Sequence, residues 1–213
     1  MEKITTGPGP QARRADAVRN RARILEAARR LITDRGPEVG MSEISRAAGV
    51  AVGTLYRHFP TKTDLVAAVV TEHVESLARA AEEAWDRVRT GQTGAGEEVL
   101  DFVSHALEMT AGNHAAKAAA RALGAEPEYS DAEARAAGAL KLLLDAGRKA
   151  RKVRSDLTVS DVYLLVAFCP TDCSTETLGR WLALIRPALL HSEEEPPTPD
   201  ARGESASPPS SRS

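Results

Sequence analysis

Aromatic residues are scarce in this chain, with only 3 Phe, 3 Tyr and 2 Trp among 213 residues. Alanine, by contrast, occurs 37 times. Strands favour aromatic and β-branched residues, whereas alanine is the strongest helix former. This balance excludes an all-β architecture and predicts an all-α fold.

Cysteines and long apolar runs are also few. Cys169 and Cys173 cannot form a disulfide scaffold, and their spacing lacks the further ligands that zinc needs. We interpret them as inert thiols, with a redox-sensing pair as the alternative. The longest apolar run, Val162 to Cys169, has eight residues, against the roughly 20 that cross a bilayer. Because residues 1–14 also lack the apolar segment of a signal peptide, we expect a cytoplasmic protein without a membrane partner.

Catalytic patterns are missing as well. The five histidines are scattered, and none stands in the spacing of a catalytic triad or of a helical metal site. No glycine-rich loop that would cradle phosphate is present. The sequence therefore predicts no enzyme, no metal and no cofactor.

The formal net charge of −2 hides two opposite halves. Residues 1–62 contain 12 Lys and Arg against 6 Asp and Glu, a net charge of +6. The rest of the chain contains 16 against 24, a net charge of −8. A basic N-terminal part on an acidic body indicates that the N-terminal part meets a polyanion, although a solvated basic face is the alternative.

Hydrophobic periodicity predicts nine helices between two polar ends. Residues 1–13 are expected to form a flexible arm and the acidic Ser/Pro-rich residues 192–213 a disordered tail. Arg13 and Arg14 precede the first predicted helix, and such a basic arm could enter a minor groove or could equally have no function. We call residues 14–66 the head and residues 67–191 the body. A break is expected at Gly112-Asn113, and Thr61 and Asp64 indicate a capping box. The predicted helices span about residues 15–34, 41–48, 52–59, 62–89, 97–111, 114–123, 130–151, 158–169 and 175–190.

Two short helices joined by a tight turn at Gly49 predict a helix-turn-helix in the head. On a helical wheel, Val52, Leu55 and Phe59 share one face of the second helix, which can pack on the first helix of the chain. Tyr56 lies at the edge of this apolar face, and the opposite face carries Gly53, Thr54, Arg57 and His58. Small, hydroxyl and cationic groups on one face suit a nucleic-acid groove and its phosphates.

The stretch from Ile44 to Leu65, ISRAAGVAVGTLYRHFPTKTDL, resembles the DNA-binding signature of the tetracycline-repressor (TetR) family, and the resemblance covers about residues 19–66. The resemblance implies that Thr54, Tyr56, His58 and Lys62 hold DNA phosphates and that Val52, Gly53 and Arg57 approach base edges. Ser42 could also offer its hydroxyl to a phosphate. Purely structural roles are the alternative; Tyr56, for example, could cap the small core. Gly40 and Ala51 depart from the Ser or Thr that usually caps these two helices, which softens the motif locally.

The resemblance further implies a homodimer on a near-palindromic operator and a body that binds an unknown small molecule. Two apolar stripes of the last two helices are candidates for the dimer interface, or else for the subunit's own core: Val162, Leu165 and Val166, and Leu178, Trp181, Leu182, Ile185 and Leu189. Candidates for lining a ligand pocket, or else ordinary core or surface positions, are Phe102, His105, Met109, Leu140, Leu144 and Tyr163.

The sequence is thus interpreted as a DNA-binding transcriptional regulator, a homodimeric repressor released from its operator by a ligand. An activator or a ligand-independent regulator of the same fold is the first alternative. A small helical enzyme or metabolite carrier is the second, and it would need a reactive group of residues that the body does not show.

Overall fold

A computed structural model describes residues 10–128, 130–169 and 174–191 of the chain. The expected tail, Cys173 and most of the expected N-terminal arm lie outside these residues. In the described part the only β structure is an isolated antiparallel bridge between Val153 and Leu190, which confirms the all-α fold class. Eight helices follow one another: α1 (Pro10–Arg35), α2 (Met41–Ala48), α3 (Val52–His58), α4 (Lys62–Arg89), α5 (Ala95–Ala122), α6 (Ser130–Lys149), α7 (Val159–Ala167) and α8 (Thr175–Leu189).

The first helix begins earlier than the sequence predicted. It starts at Pro10, so that Arg13 and Arg14 belong to α1 and not to an arm that precedes it. Proline is well suited to the first helical position, because its fixed φ is helical and its missing N–H would have no partner there. The segment that follows, Gln-Ala-Arg-Arg, consists of good helix formers.

The fourth helix begins at the predicted capping box. The Thr61 side chain accepts a hydrogen bond from the Asp64 backbone N–H at 3.0 Å, and the Asp64 carboxylate accepts one from the Thr61 N–H at 3.0 Å. Both backbone N–H groups, for which the helix itself supplies no acceptor, are thereby hydrogen-bonded. The helix then runs for 28 residues, which corresponds to a length of about 42 Å.

The break expected at Gly112-Asn113 is wrong, because α5 runs unbroken from Ala95 to Ala122. A glycine inside a helix costs about 1 kcal/mol relative to alanine, which tertiary packing can offset. Here Asn113 is only 1% exposed, and Ala116, Ala119 and Ala120 beyond it are buried. The alanine-rich second half of α5 therefore stays helical and packs against the head.

Two main clusters of buried side chains fill the molecule. The first joins α1, α2, α3 and the start of α4, and it also includes the far end of α5. The second lies between α4, α5, α6, α7 and α8. One face of α4 thus contributes Leu65, Val66, Val69 and Val70 to the first core and Ala81 and Ala84 to the second.

Two polar contacts fix the turns of the body. The buried Glu98 carboxylate accepts two hydrogen bonds from the Arg87 guanidinium, at 2.7 and 2.8 Å, and a third from the Thr93 hydroxyl at 2.6 Å. The paired guanidinium lowers the pKa of Glu98, so the carboxylate stays charged and holds the turn between α4 and α5. In the turn after α6, the Arg154 backbone N–H donates a hydrogen bond to Leu189 O at 3.2 Å, which ties this turn to the end of α8.

Two glycines of α6 provide a matched test of how tightly the body is packed. A Cβ at Gly147 would lie 2.4 Å from Val153 Cγ2, whereas a Cβ at Gly138 would meet nothing within 4 Å. We expect Gly147→Ala to lower the free energy of unfolding by about 1–3 kcal/mol through overpacking. Gly138→Ala should raise it by about 0.5–1 kcal/mol through helix propensity. Urea unfolding of both variants measures this, and equal effects would contradict the close approach at Gly147.

Candidate nucleic-acid interface

The turn between α2 and α3 is set by Gly49. This residue adopts a left-handed conformation with φ of 62°, and its N–H donates to Arg46 O at 3.1 Å. Such a C-cap suits glycine because a side chain would be strained there. The chain resumes helix at Val52, so α2 and α3 form the predicted helix-turn-helix.

The inner face of this motif is apolar and closed. Ile44 of α2 and Leu55 of α3 are fully buried, and Phe59 is 4% exposed. All three belong to the core that includes the apolar stripe of α1. The Arg21 guanidinium lies over the Phe59 ring, 5.7 Å from its centroid, and adds a cation–π contact to this packing.

The outer face of α3 is open. Val52 and Tyr56 are 45% and 48% exposed, Gly53 and Arg57 are exposed, and a Cβ at Gly53 would meet nothing within 4 Å. The wheel grouped Val52 with the buried Leu55 and Phe59, which is wrong for Val52. A helical side chain covers the turn before it, and Val52 is the first residue of α3, so it has no such turn to cover. The absence of a side chain at Gly53 is not required by internal packing, and it leaves the backbone of α3 accessible.

Thr54 and His58 lie at the border of this face, half-buried. The Thr54 N–H donates to Ala51 O at 2.8 Å within the first turn of α3. The His58 ring lies 6.2 Å from the Phe59 ring, centroid to centroid. These contacts orient both residues and leave part of each side chain accessible.

Lys62 stands at the first position of α4, and its ammonium group donates a hydrogen bond to the Pro37 carbonyl. This contact places the positive charge next to the N-terminus of α4, where unpaired N–H groups and the helix dipole also favour an anion. The arrangement therefore combines two features of a phosphate site.

The two short helices lack side-chain caps, as the substitutions at Gly40 and Ala51 predict. Neither residue makes a side-chain capping hydrogen bond. The buried Ser45 hydroxyl donates to Ser42 O at 2.9 Å, and the Ser42 side chain itself stays exposed. The hydroxyl of Ser42 is therefore available near the start of α2.

The predicted pocket residues separate into three places. Phe102, Leu140 and Tyr163 line a cavity of about 180 Å³ between α4, α5, α6 and α7. His105 and Met109 line a larger open crevice of about 950 Å³ between α1, α4 and α5. Leu144 lines neither of these two, because it is fully buried in the core of the body.

Four polar residues of the inner cavity were not predicted: His73, Thr110, Lys117 and Glu133. Burial and the positive charges of Lys117 and Arg29 lower the pKa of His73 to about 4, so its imidazole is neutral at pH 7. One signal was present in the sequence: His73 follows Val66, Val69 and Val70 on the apolar stripe of α4. The other three residues are polar positions whose proximity depends on how the helices pack.

The predicted dimer stripes face the chain's own core. Val162, Ile185 and Leu189 are at most 6% exposed, so they have no surface left for a partner. The other five, which are half-buried, pack against the same core: Leu165, Val166, Leu178, Trp181 and Leu182. The exposed large apolar residues here include instead Leu164 on α7, Phe168 at the C-cap of α7 and Leu184 on α8, at 55%, 75% and 59%. The helical wheel predicts both stripes, but the α7–α8 pair exposes a different side of these helices to solvent.

Metal and membrane sites were searched in the same part of the chain. Within residues 10–128, 130–169 and 174–191, no three His, Cys, Asp or Glu side chains converge as metal ligands. None of the helices described there is both long and apolar enough to cross a membrane. Cys169 is buried in the core of the body.

Comparison with known proteins identifies the fold of the chain and the sequence family of the head. Residues 24–69 match the sequence profile of "Bacterial regulatory proteins, tetR family". The HTH-type transcriptional regulator SAB2452 of Staphylococcus aureus is 45% identical over 65 residues, 30% of this chain. The HTH-type transcriptional activator FasR of Mycolicibacterium smegmatis is 33% identical over 108 residues, 49% of this chain. The matched segments span only 35% and 49% of these two relatives.

A solved structure matches over nearly its whole length. It is the TetR transcription regulatory protein from Mycobacterium vanbaalenii, which is 34% identical and superposes with a TM-score of 0.67. The match covers 83% of this chain and 98% of the other. The similarity therefore includes the body as well as the head, and the chain belongs to the TetR family of bacterial regulatory proteins.

Proposed function

We propose that the protein is a sequence-specific, DNA-binding transcriptional regulator that acts as a homodimer. The observation that carries this proposal is the outer face of α3, where an exposed arginine, an exposed tyrosine and an open glycine lie together on a buried apolar support. A helix of this kind enters the major groove, and its dimer partner reads a second half-site about one helical turn away. SAB2452 and FasR, which share the head, are named transcriptional regulators.

The regulator is proposed to be a repressor that a small molecule releases from its operator. The body supports this with an inner cavity next to α4, the same helix whose first turn, from Lys62, belongs to the head. A ligand that prefers one arrangement of α4 shifts the spacing of the two heads, and DNA prefers the other arrangement. FasR carries the name of an activator, so an activator is the competing function.

Footprinting of the purified protein on DNA that flanks its own gene tests this function. Protection of a near-palindromic site that overlaps the promoter supports a repressor. Protection only upstream of the promoter, with transcription that rises when protein is added, would identify an activator. Absence of any protected site on flanking or selected DNA would contradict the DNA-binding function.

Arg57 is proposed to contact a base edge from the exposed side of α3. Arg57→Ala should therefore relax the preference at one base position of each half-site, at a cost of about 1–3 kcal/mol. A selection from random DNA, carried out for the parent and the variant, measures this. Identical base preferences in both selections would show that Arg57 does not read a base.

Lys62 is proposed to hold a phosphate, so its effect should not depend on base sequence. Lys62→Ala should weaken binding about equally on all DNA sequences and lower the slope of log K against log salt by about one. Because Lys62 also donates to Pro37 O, unfolding of the variant is measured alongside. Lys149→Ala, on the exposed end of α6, is the control. An unchanged salt slope in a folded variant would exclude the phosphate contact.

The dimer surface is proposed to be the exposed apolar side of α7 and α8. Leu164 of α7 and Phe168, the C-cap residue that follows this helix, line a shallow groove together with Trp181 and Ala188 of α8. Phe168→Asp should place a charge in this contact and shift the protein to monomers. Light scattering after gel filtration measures the mass. The control is Leu142→Asp on α6, where the leucine is 44% exposed, and monomers from both variants would contradict this choice of surface.

A further inference from the structure

The inner cavity of the body is small and mostly apolar. Its volume of about 180 Å³ lies below the range of about 300–1,000 Å³ that is usual for drug-sized ligands. The apolar wall is formed by Leu77, Phe102, Leu140, Val162 and Val166. The wall suits a short aliphatic chain better than a large ring system.

Polar residues also line part of the cavity, and the least exposed of them has no hydrogen-bond partner among the described residues. His73 is 6% exposed and lines the cavity, and its Nε2 atom has no hydrogen-bond partner among the described residues. A buried polar atom without a partner is costly, so its presence calls for a ligand group or a water at that point. A neutral imidazole can donate a hydrogen bond from Nε2 when the proton is on that nitrogen.

A stripe of α5 next to the cavity also carries a buried polar side chain without partners in the described part of the chain. Ala106, Thr110, Asn113 and Lys117 follow one another at intervals of four, three and four residues, which places them on one stripe of the helix. Asn113 is 1% exposed, and neither atom of its side-chain amide has a partner in the part of the chain described. Asn113 does not line the cavity itself, so its unpaired amide lies on the same stripe of α5 as the lining residues Thr110 and Lys117, beside the cavity.

The charges around the polar part of the cavity lining favour an anion. Lys117 lines the cavity half-buried, and burial lowers the pKa of its ammonium group, with a smaller contribution from Arg121. No ion pair of Lys117 occurs among the described residues; Glu133, the carboxylate that raises its pKa, is exposed at the start of α6 and also acts on Tyr163. The positive charges of Arg29 and Lys117 both act on His73. Positive charge thus acts on His73, whose Nε2 atom has no hydrogen-bond partner among the described residues, and Lys117 beside it forms no ion pair there.

We propose that this cavity binds a small amphipathic monocarboxylate, whose carboxylate lies on Lys117 and His73 and whose aliphatic chain lies along the apolar wall. A carboxylate supplies the acceptors that both groups lack and the charge that Lys117 needs. The inference rests on the proposed function only in that it names the class of effector. Binding itself requires neither DNA nor a dimer.

The test is a calorimetric titration of the full chain, without DNA, at neutral pH. The probes are straight-chain carboxylates from butyrate to decanoate, and the straight-chain alcohols of the same lengths. Carboxylates should bind with an optimum chain length that the cavity sets, and each matched alcohol should bind at least about tenfold more weakly. Equal affinity for alcohols and carboxylates would overturn the proposal, and so would the absence of binding by any carboxylate.

Variants assign the binding to this cavity. Lys117→Met should weaken the best carboxylate at least about tenfold, and Lys117→Arg should restore most of the loss. Lys141→Met removes an exposed lysine of α6 that pairs with Asp145 at 2.8 Å, and it should leave the affinity unchanged. If Lys117→Met, with unaltered thermal unfolding, binds as the parent does, the carboxylate lies elsewhere and the proposal fails.

A parallel measurement of operator binding separates this inference from the proposed function. Carboxylate binding without any change of operator affinity would leave the site standing and contradict release by that ligand. Release of the operator by another class of compound, with no carboxylate bound, would support the regulator and overturn the carboxylate site.

Discussion

Burial of α4 in two successive cores is the constraint on which the rest of the molecule depends. The capping box of Thr61 and Asp64 fixes where the helix begins, and the bonds from Arg87 to Glu98 fix the turn that follows it. Between these points α4 packs first against the head and then against the body. Arg135 of α6 adds two ion pairs to α4 by way of Glu75 and Glu82, at 3.0 and 2.8 Å. A long helix that is held at both ends and packs in both cores connects the body to the head.

The head is not packed on α4 alone. Ala116, Ala119 and Ala120, near the end of α5, are buried in the same core as the helix-turn-helix. Small side chains let α5 come close to α1 and α4, and this explains why the uninterrupted course of α5 matters. Because α1 packs against both α4 and α5, a change in the relative position of these two helices alters both of its contacts.

Sequence reasoning succeeded where a local pattern decides the structure. The capping box at Thr61 and the turn at Gly49 depend on neighbouring residues, and both were predictable. The continuity of α5 through Gly112 was not, because it depends on burial of Asn113 by other helices. The orientation of α7 and α8 has the same origin: Val162 and Leu164 are equally apolar in the sequence, and only packing makes one 2% and the other 55% exposed.

The position of His73 links the chemistry of the body to the geometry of the head. This residue lies on α4 and lines both the inner cavity and the open crevice between α1, α4 and α5. A group that bonds to it from the cavity also fixes the part of α4 that faces Arg29 of α1. Because binding energies at two sites are coupled reciprocally, any ligand that stabilises one arrangement here must bind more weakly when DNA stabilises the other. A ligand can shift the equilibrium between two arrangements of α4 only by as much as it prefers one of them, and a hydrogen bond to the buried His73 is a contact that depends on where α4 lies.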